Sequence, residues 1–186
     1  MKSFGALGVI VAAAALSGCA MTAPKYTPSM DNVSTLTQMG DVKAKVGDFT
    51  AAVTKESPAT LSIRGSSLSS PVGGNYGAYV AEALRQELSL ANKLVVGSDA
   101  LVTGDLLKNE LDASGFSTGT ASISARFVVS KGGVSVYDAV KTVDNSWESS
   151  FVGATAIPAA VTGYHNTVQK LLAALYADPA FVKAIK

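Results

Sequence analysis

The sequence predicts an α+β domain, an antiparallel sheet of about four strands with two helices packed on one face. Two observations carry that expectation. Ala121, Ile123, Ala125, Phe127 and Val129 alternate with Ser122, Ser124, Arg126, Val128 and Ser130, the pattern of a strand with one buried face. Lys131-Gly132-Gly133 then supplies a tight turn, and residues 134–147 return as the partner strand. The second observation is a pair of apolar stripes at three- and four-residue spacing. One runs through Tyr76, Val80, Ala83, Leu84, Leu88 and Ala91, the other through Val161, Tyr164, Val168, Leu171, Leu172 and Leu175.

The remaining elements follow in order. Residues 42–53 alternate enough for a first strand, and Leu61-Ser62-Ile63 suits a short second one. The Ser-, Gly- and Pro-rich run after Ile63 reads as a loop that delivers Asn75 as the N-cap of the first helix. On that helix Glu82, Arg85, Gln86 and Glu87 fall off the apolar stripe, and Asn92 is a stop signal. Residues 100–107 make a short strand before the long hairpin. The second helix is expected to begin near Pro158, whose fixed φ suits a first turn. Asp178-Pro179 ends it, and Phe181 and Ile185 close a last turn onto the domain.

Composition narrows the function classes. The chain of 186 residues carries 15 basic and 14 acidic side chains, too balanced for the basic face that nucleic acid requires. A lone cysteine and a lone histidine exclude an internal disulfide and a zinc site of soft ligands. The first residues, MKSFGALGVIVAAAALSGCA, hold one lysine and then an uncharged apolar run too short to span a bilayer, which is the pattern of a secretory signal.

Leu16-Ser17-Gly18-Cys19 at the end of that run resembles the lipobox of bacterial lipoproteins. The resemblance implies removal of residues 1–18 as a signal peptide and acylation of Cys19 with diacylglycerol and a further acyl chain. Several chains together anchor a protein stably where one does not. Ala20, in place of aspartate, implies sorting to the outer membrane, on its periplasmic face. Cleavage would leave 168 residues with 14 basic and 14 acidic groups. Residues 19–40, rich in Thr, Ser, Pro, Met and Asn, read as a lipidated N-terminus and flexible tether, the alternative being that part of the segment packs along the domain, with a strand around residues 33–36. Residues 41–186 are then the periplasmic domain.

The candidate chemistry is thin. His165 is the one histidine available as a general base, with Asp138 or Asp144 to orient it, yet no Gly-x-Ser-x-Gly elbow occurs. Asp105, Glu110 and Asp112 are close in sequence, but Asp105 and Glu110 fall on opposite faces of a continuous strand and Asp112 suits a turn. Gly73-Gly74-Asn75-Tyr76-Gly77 opens a helix without matching a phosphate-binding motif. No catalytic residue, metal or cofactor is expected. The segment 147–157 draws more interest, because Trp147, Phe151 and Ile157 place large apolar groups just past a strand, where partner-binding residues concentrate. The alternative is that Trp147 and Phe151 cover the end of the core beneath the C-terminal helix.

The domain is similar to small Gram-negative envelope lipoproteins, among them lipopolysaccharide-assembly lipoproteins, auxiliary lipoproteins of ABC-type lipid transporters and penicillin-binding-protein activators. The similarity rests on Ala83-Leu84-Arg85-Gln86-Glu87-Leu88, on Ala100 to Leu106, on the glycine hairpin and on Leu171 to Leu175. It implies a non-catalytic accessory protein whose partners are the outer membrane and an envelope protein, with no nucleic acid. The alternative is a lipid or small-molecule binder with a groove between sheet and helices.

Overall fold

A computed structural model describes residues 20–186, so the signal peptide and Cys19 lie outside the described residues. The chain forms β1 (Ala20–Thr22), α1 (Met30–Gln38), β2 (Lys45–Ala51), β3 (Leu61–Ile63), β4 (Ser66–Ser69) and α2 (Tyr76–Leu90). It continues with β5 (Leu101–Asp112), β6 (Thr118–Lys131), β7 (Val134–Glu148), α3 (Gly153–Tyr176) and α4 (Pro179–Ala184). The α+β class is as the sequence predicts, with two sheets, one of order β2-β5-β6-β7 and a smaller one of order β1-β4-β3.

In the large sheet β5, β6 and β7 are antiparallel, while β2 joins the edge parallel to β5. A parallel neighbour needs a long crossover, and the segment from β3 through α2 provides it. Strand β5 extends to Asp112, five residues beyond the expected end, because β6 pairs with it throughout. Gly132 and Gly133 both take positive φ, 58° and 83°, in the two-residue turn that joins β6 to β7. The small sheet takes in residues expected to be loop, since Ser66–Ser69 pair with Leu61–Ile63 on one side and Ala20–Thr22 on the other.

Helix α2 covers β2 and β5, and α3 covers β6 and β7, so both lie on the face lined by Phe49, Ile123, Phe127 and Val129. The approach of α2 is close. A Cβ on Gly77 would stand 2.7 Å from the carbonyl oxygens of Phe49 and Thr50. Helix α3 begins at Gly153 rather than near Pro158, with Val152 as N-cap. Thr155 and Ala156 donate to the Val152 carbonyl, which lets the helix start early and leaves Pro158 within its second turn. Beyond α3, Asp178 caps α4 and also accepts from Tyr137 at 2.9 Å and Lys141 at 2.6 Å. Phe181 and Ile185 are buried there.

The expectation of a flexible tether over residues 19–40 is corrected for its described part. Tyr26, Val33 and Leu36 are buried, and α1 lies across α2 and α3 as a third layer. The strand considered at residues 33–36 is a turn of α1. What holds this strap is Glu87, expected on the outer face of α2 but completely buried. Its carboxylate accepts from the Tyr26 hydroxyl at 2.5 Å, the Ser29 amide at 3.0 Å and Asn32 Nδ2 at 3.1 Å. Asn32 Nδ2 also donates to the Gln169 carbonyl on α3 at 3.0 Å. Burial, together with the carboxylate beside it, pushes the Tyr26 phenol well above its ordinary range and keeps it a donor. Residues 20–40 therefore belong to the folded unit.

Two outcomes follow for stability. Glu87→Gln places an amide NH₂ among donors and should cost about 1–3 kcal/mol. It should lower the urea midpoint and speed amide exchange in residues 26–38 before the large sheet; an unchanged midpoint would refute the strap's dependence on the carboxylate. Asp178 is held down at about pKa 2, chiefly by its hydrogen bond from Lys141 and, against the opposing effect of burial, also by Tyr137 and the Ala180 amide. Its folded value lies below the unfolded one, so its stabilisation is complete above about pH 4 and is lost as the pH falls towards 2. Asp178→Asn should flatten that part of a stability-against-pH curve.

Candidate functional site

The three residues expected to bind a partner are split by the structure. Trp147, on β7, is half-buried, and its indole lies flat against the places where a Cβ would stand on Gly119 of β6 and Gly163 of α3. It fills the space between sheet and helix. Ile157 is likewise half-buried on α3 and packs on the core. Phe151 alone stands out, 71% exposed, in the connection between β7 and α3.

Phe151 has a companion that the sequence did not single out. Phe116, in the connection between β5 and β6, is also 71% exposed, and the two rings lie 5.5 Å apart at 33°. Val152 beside them is exposed too. Their two connections are tied by a hydrogen bond from the Ser149 amide to the Ser117 carbonyl at 2.8 Å. Arg64 then clamps both from the β3–β4 turn. Its guanidinium donates to the carbonyls of Ala113 at 2.5 Å, Gly115 at 2.7 Å and Ser150 at 2.8 Å. Arg64 itself takes a φ of 50°, a left-handed conformation that costs an L-residue with a Cβ on the order of 1–2 kcal/mol. Three charge-assisted bonds offset that cost. The turn Arg64-Gly65 was read from sequence as loop, and nothing in its local pattern reveals that its arginine reaches three carbonyls far along the chain.

The sheet face away from the helices is open. Arg126 meets Asp138 side-on, Nε and Nη2 at 2.7 and 2.5 Å from the two carboxylate oxygens, and lies 3.8 Å from Asp105. The arginine beside Asp138 lowers that carboxyl below its usual range. Asp105 also accepts from Thr50 at 2.6 Å. Exposed Val136 and Val140 are on the same face of β7 as Asp138. Towards the far end of β5–β7 a groove of about 810 Å³ is lined by residues that include Lys55, Ser62, Glu110, Asp112, Asp144 and Lys170. Asn109 Nδ2 and Ser122 Oγ, on two further lining residues, are buried without a hydrogen-bond partner among the described residues.

The carboxylates and the histidine weighed for catalysis have structural partners. Glu110 pairs with Lys108 at 3.1 Å. Asp112 accepts from the Ser114 amide at 2.8 Å and hydroxyl at 2.7 Å, the turn expected of it. His165 is half-buried, its ring centred 5.1 Å from that of Tyr26 and tilted 33° to it, with Nε2 3.1 Å from the Thr27 carbonyl oxygen. Burial lowers its pKa, so the neutral ring is favoured as a clasp on the strap. Asn75 accepts from the Ala78 amide at 3.0 Å, so a side chain already uses one donor at the α2 N-terminus. Among the described residues no cluster of three or more His, Cys, Asp or Glu is placed to hold a metal, and no helix is long and apolar enough to cross a membrane.

No family model and no curated protein matches the chain. Solved structures do. A Xanthomonas campestris protein of the family DUF330 superposes with a TM-score of 0.59 and 15% identity, over 88% of this chain and 96% of that one. A Caulobacter crescentus protein provisionally described as a lipoprotein gives 0.46 at 14% identity, over 81% and 93%. A Chlamydia trachomatis protein described as hypothetical gives 0.46 at 11%, over 76% and 97%. At this identity the first likeness establishes a shared fold, and the fold class is that of the DUF330 protein.

Trp147 offers a direct check on the packing of this region. Alanine in place of a helical glycine ordinarily helps a helix by about 1 kcal/mol. Gly163→Ala should instead destabilise by about 1–3 kcal/mol, because its Cβ would occupy the place of the indole. The emission of the sole tryptophan should shift to the red as the ring is displaced into water; unchanged emission and stability would show that the indole is not seated on Gly163.

Proposed function

We propose that this protein is a lipid-anchored accessory protein of a bacterial cell envelope, acting by binding a protein partner rather than by catalysis. The observation that carries the reading is the lipobox-like Leu16-Ser17-Gly18-Cys19 set immediately before a folded domain whose first described residue, Ala20, already pairs with Ser67. Anchored this way, the domain is held at the bilayer surface, on the periplasmic face of the outer membrane by the residue that follows the cysteine. Support for a binding role comes from the open sheet face. Val136 and Val140 flank the Arg126–Asp138 pair there, an apolar and charged mixture suited to a protein surface. The engagement of His165 in the strap leaves it poorly placed to serve a nucleophile.

A second reading, a lipid or small-molecule binder, is favoured by the groove beside Asn109 and Ser122. Their orphan polar atoms are groups that a ligand's hydroxyl or carbonyl oxygen could satisfy.

One set of measurements tests both. The unaltered chain should incorporate labelled fatty acid in cells and Cys19→Ala should not; a wild-type chain that takes up no label would sink the anchor. A photo-crosslinker at Val140 in intact cells should capture one defined envelope protein. If no adduct forms while the purified chain carries a stoichiometric small molecule that Ser122→Leu abolishes, the binder reading replaces the first.

A further inference from the structure

We infer that the Phe116–Phe151 pair, with Val152, is a second membrane-contacting element that enters the lipid interface beside the acylated N-terminus. The inference rests on the lipid-anchor reading and adds to it a place on the domain and an orientation.

Three observations converge. First, the rings of Phe116 and Phe151 are both 71% exposed yet lie 5.5 Å apart, and Val152 is 57% exposed next to them. Two large aromatics side by side in water make a cluster, unlike the singly scattered apolar residues of ordinary surfaces. Second, the cluster is held rigidly. Arg64, in a conformation unfavourable for arginine, bonds carbonyls on both connections, and the Ser149–Ser117 bond ties the connections together. Strain kept by surrounding contacts is characteristic of positions that present something. Third, the chain enters β1 at this same end. β1 runs parallel to β4, so Ala20 stands nearest the start of β4, opposite Ser67, and β4 leaves directly from the Arg64-Gly65 turn. One strand spacing, three residues and the length of an arginine separate Ala20 from the two connections, a distance on the order of 20 Å. Cys19 is one peptide link before Ala20.

The occupant follows from that placement. Because residues 20–40 are packed, no slack segment lets the domain drift away from acyl chains on Cys19. The surface around the start of β1 must then lie close to the lipid headgroups, and the apolar groups presented there are these. Aromatic and branched side chains partition into the interface and the outer acyl region, which favours their insertion over exposure to water. A protein partner on the same cluster is the competing outcome.

The test uses the mature, acylated full-length chain in phosphatidylethanolamine/phosphatidylglycerol vesicles. With Cys19 blocked by its lipid, Phe151→Cys gives one free thiol for an environment-sensitive fluorophore, and Val140→Cys gives a control on the open sheet face. Both positions are exposed, so the label should not disturb folding. The expected result is a blue shift at position 151 on vesicle binding and loss of its emission to a spin-labelled acyl chain, with neither change at 140. A chain that floats with the vesicles while the 151 label stays as water-exposed as the 140 label overturns the insertion alone. A chain that fails to float when its acylation is confirmed by mass overturns the anchor reading and the insertion with it. Phe116→Ser in the labelled chain should weaken the blue shift without altering flotation; an undiminished shift would remove Phe116 from the element.

Discussion

The structure turns on a buried carboxylate that no cation meets among the described residues. Glu87 projects from α2 into the layer between that helix, α3 and the N-terminal strap. A carboxylate taken out of water costs several kcal/mol unless its lone pairs are filled. Here the donors hydrogen-bonded to it come from the strap, namely the Tyr26 hydroxyl, the Ser29 amide and Asn32 Nδ2. The dependence is mutual. Without the strap, Glu87 would lose all three of these donors; without Glu87, the Tyr26 hydroxyl would be a buried donor with nothing to meet and Asn32 Nδ2 would keep only the Gln169 carbonyl. Tyr79, His165 and Gln169 add further grips on the carbonyls of Pro24 and Thr27.

That coupling has a geometric consequence for function. A domain on a loose tether samples many distances from a bilayer, whereas one whose strap is closed by buried hydrogen bonds presents one end. The strap begins at β1, the strand closest to the cysteine, and β1 leans on the sheet that carries Arg64. Arg64 extends the rigidity to the connections bearing Phe116 and Phe151. The open face of the large sheet, with its Arg126–Asp138 pair and exposed valines, belongs to the same rigid body. The attitude of that face to the strap is thus set by contacts between residues 49 or more positions apart in the sequence.

Much of the fold was legible where a periodic pattern is buried on one side. The β6–β7 hairpin and the stripes of α2 and α3 read correctly, since alternation and the 3.6-residue repeat record which face meets the core. Boundaries were less legible. β5 runs to Asp112 because β6 is there to pair with it, and α3 starts at Gly153 because Val152 offers its carbonyl to two amides. The site read least well. Of the two readings open for Trp147, core cover is the one the packing shows, since Gly119 and Gly163 leave a slot that the indole fills, whereas Phe151, offered the same cover, is exposed. Phe116 carried no local signal, as an aromatic between a turn and a strand is equally a core residue.

By itself the sequence determined the α+β class, the near-balanced charge and the lipobox-like Leu-Ser-Gly-Cys run, because composition, periodicity and short motifs are local properties. The tertiary structure alone decided that a polar stretch resembling a tether is a folded layer. It also decided that a glutamate off the apolar stripe is buried, and that two distant phenylalanines share one surface. Each of these depends on which donors, carbonyls and rings the chain brings together across long separations, and no window along a single strand or helix contains that information.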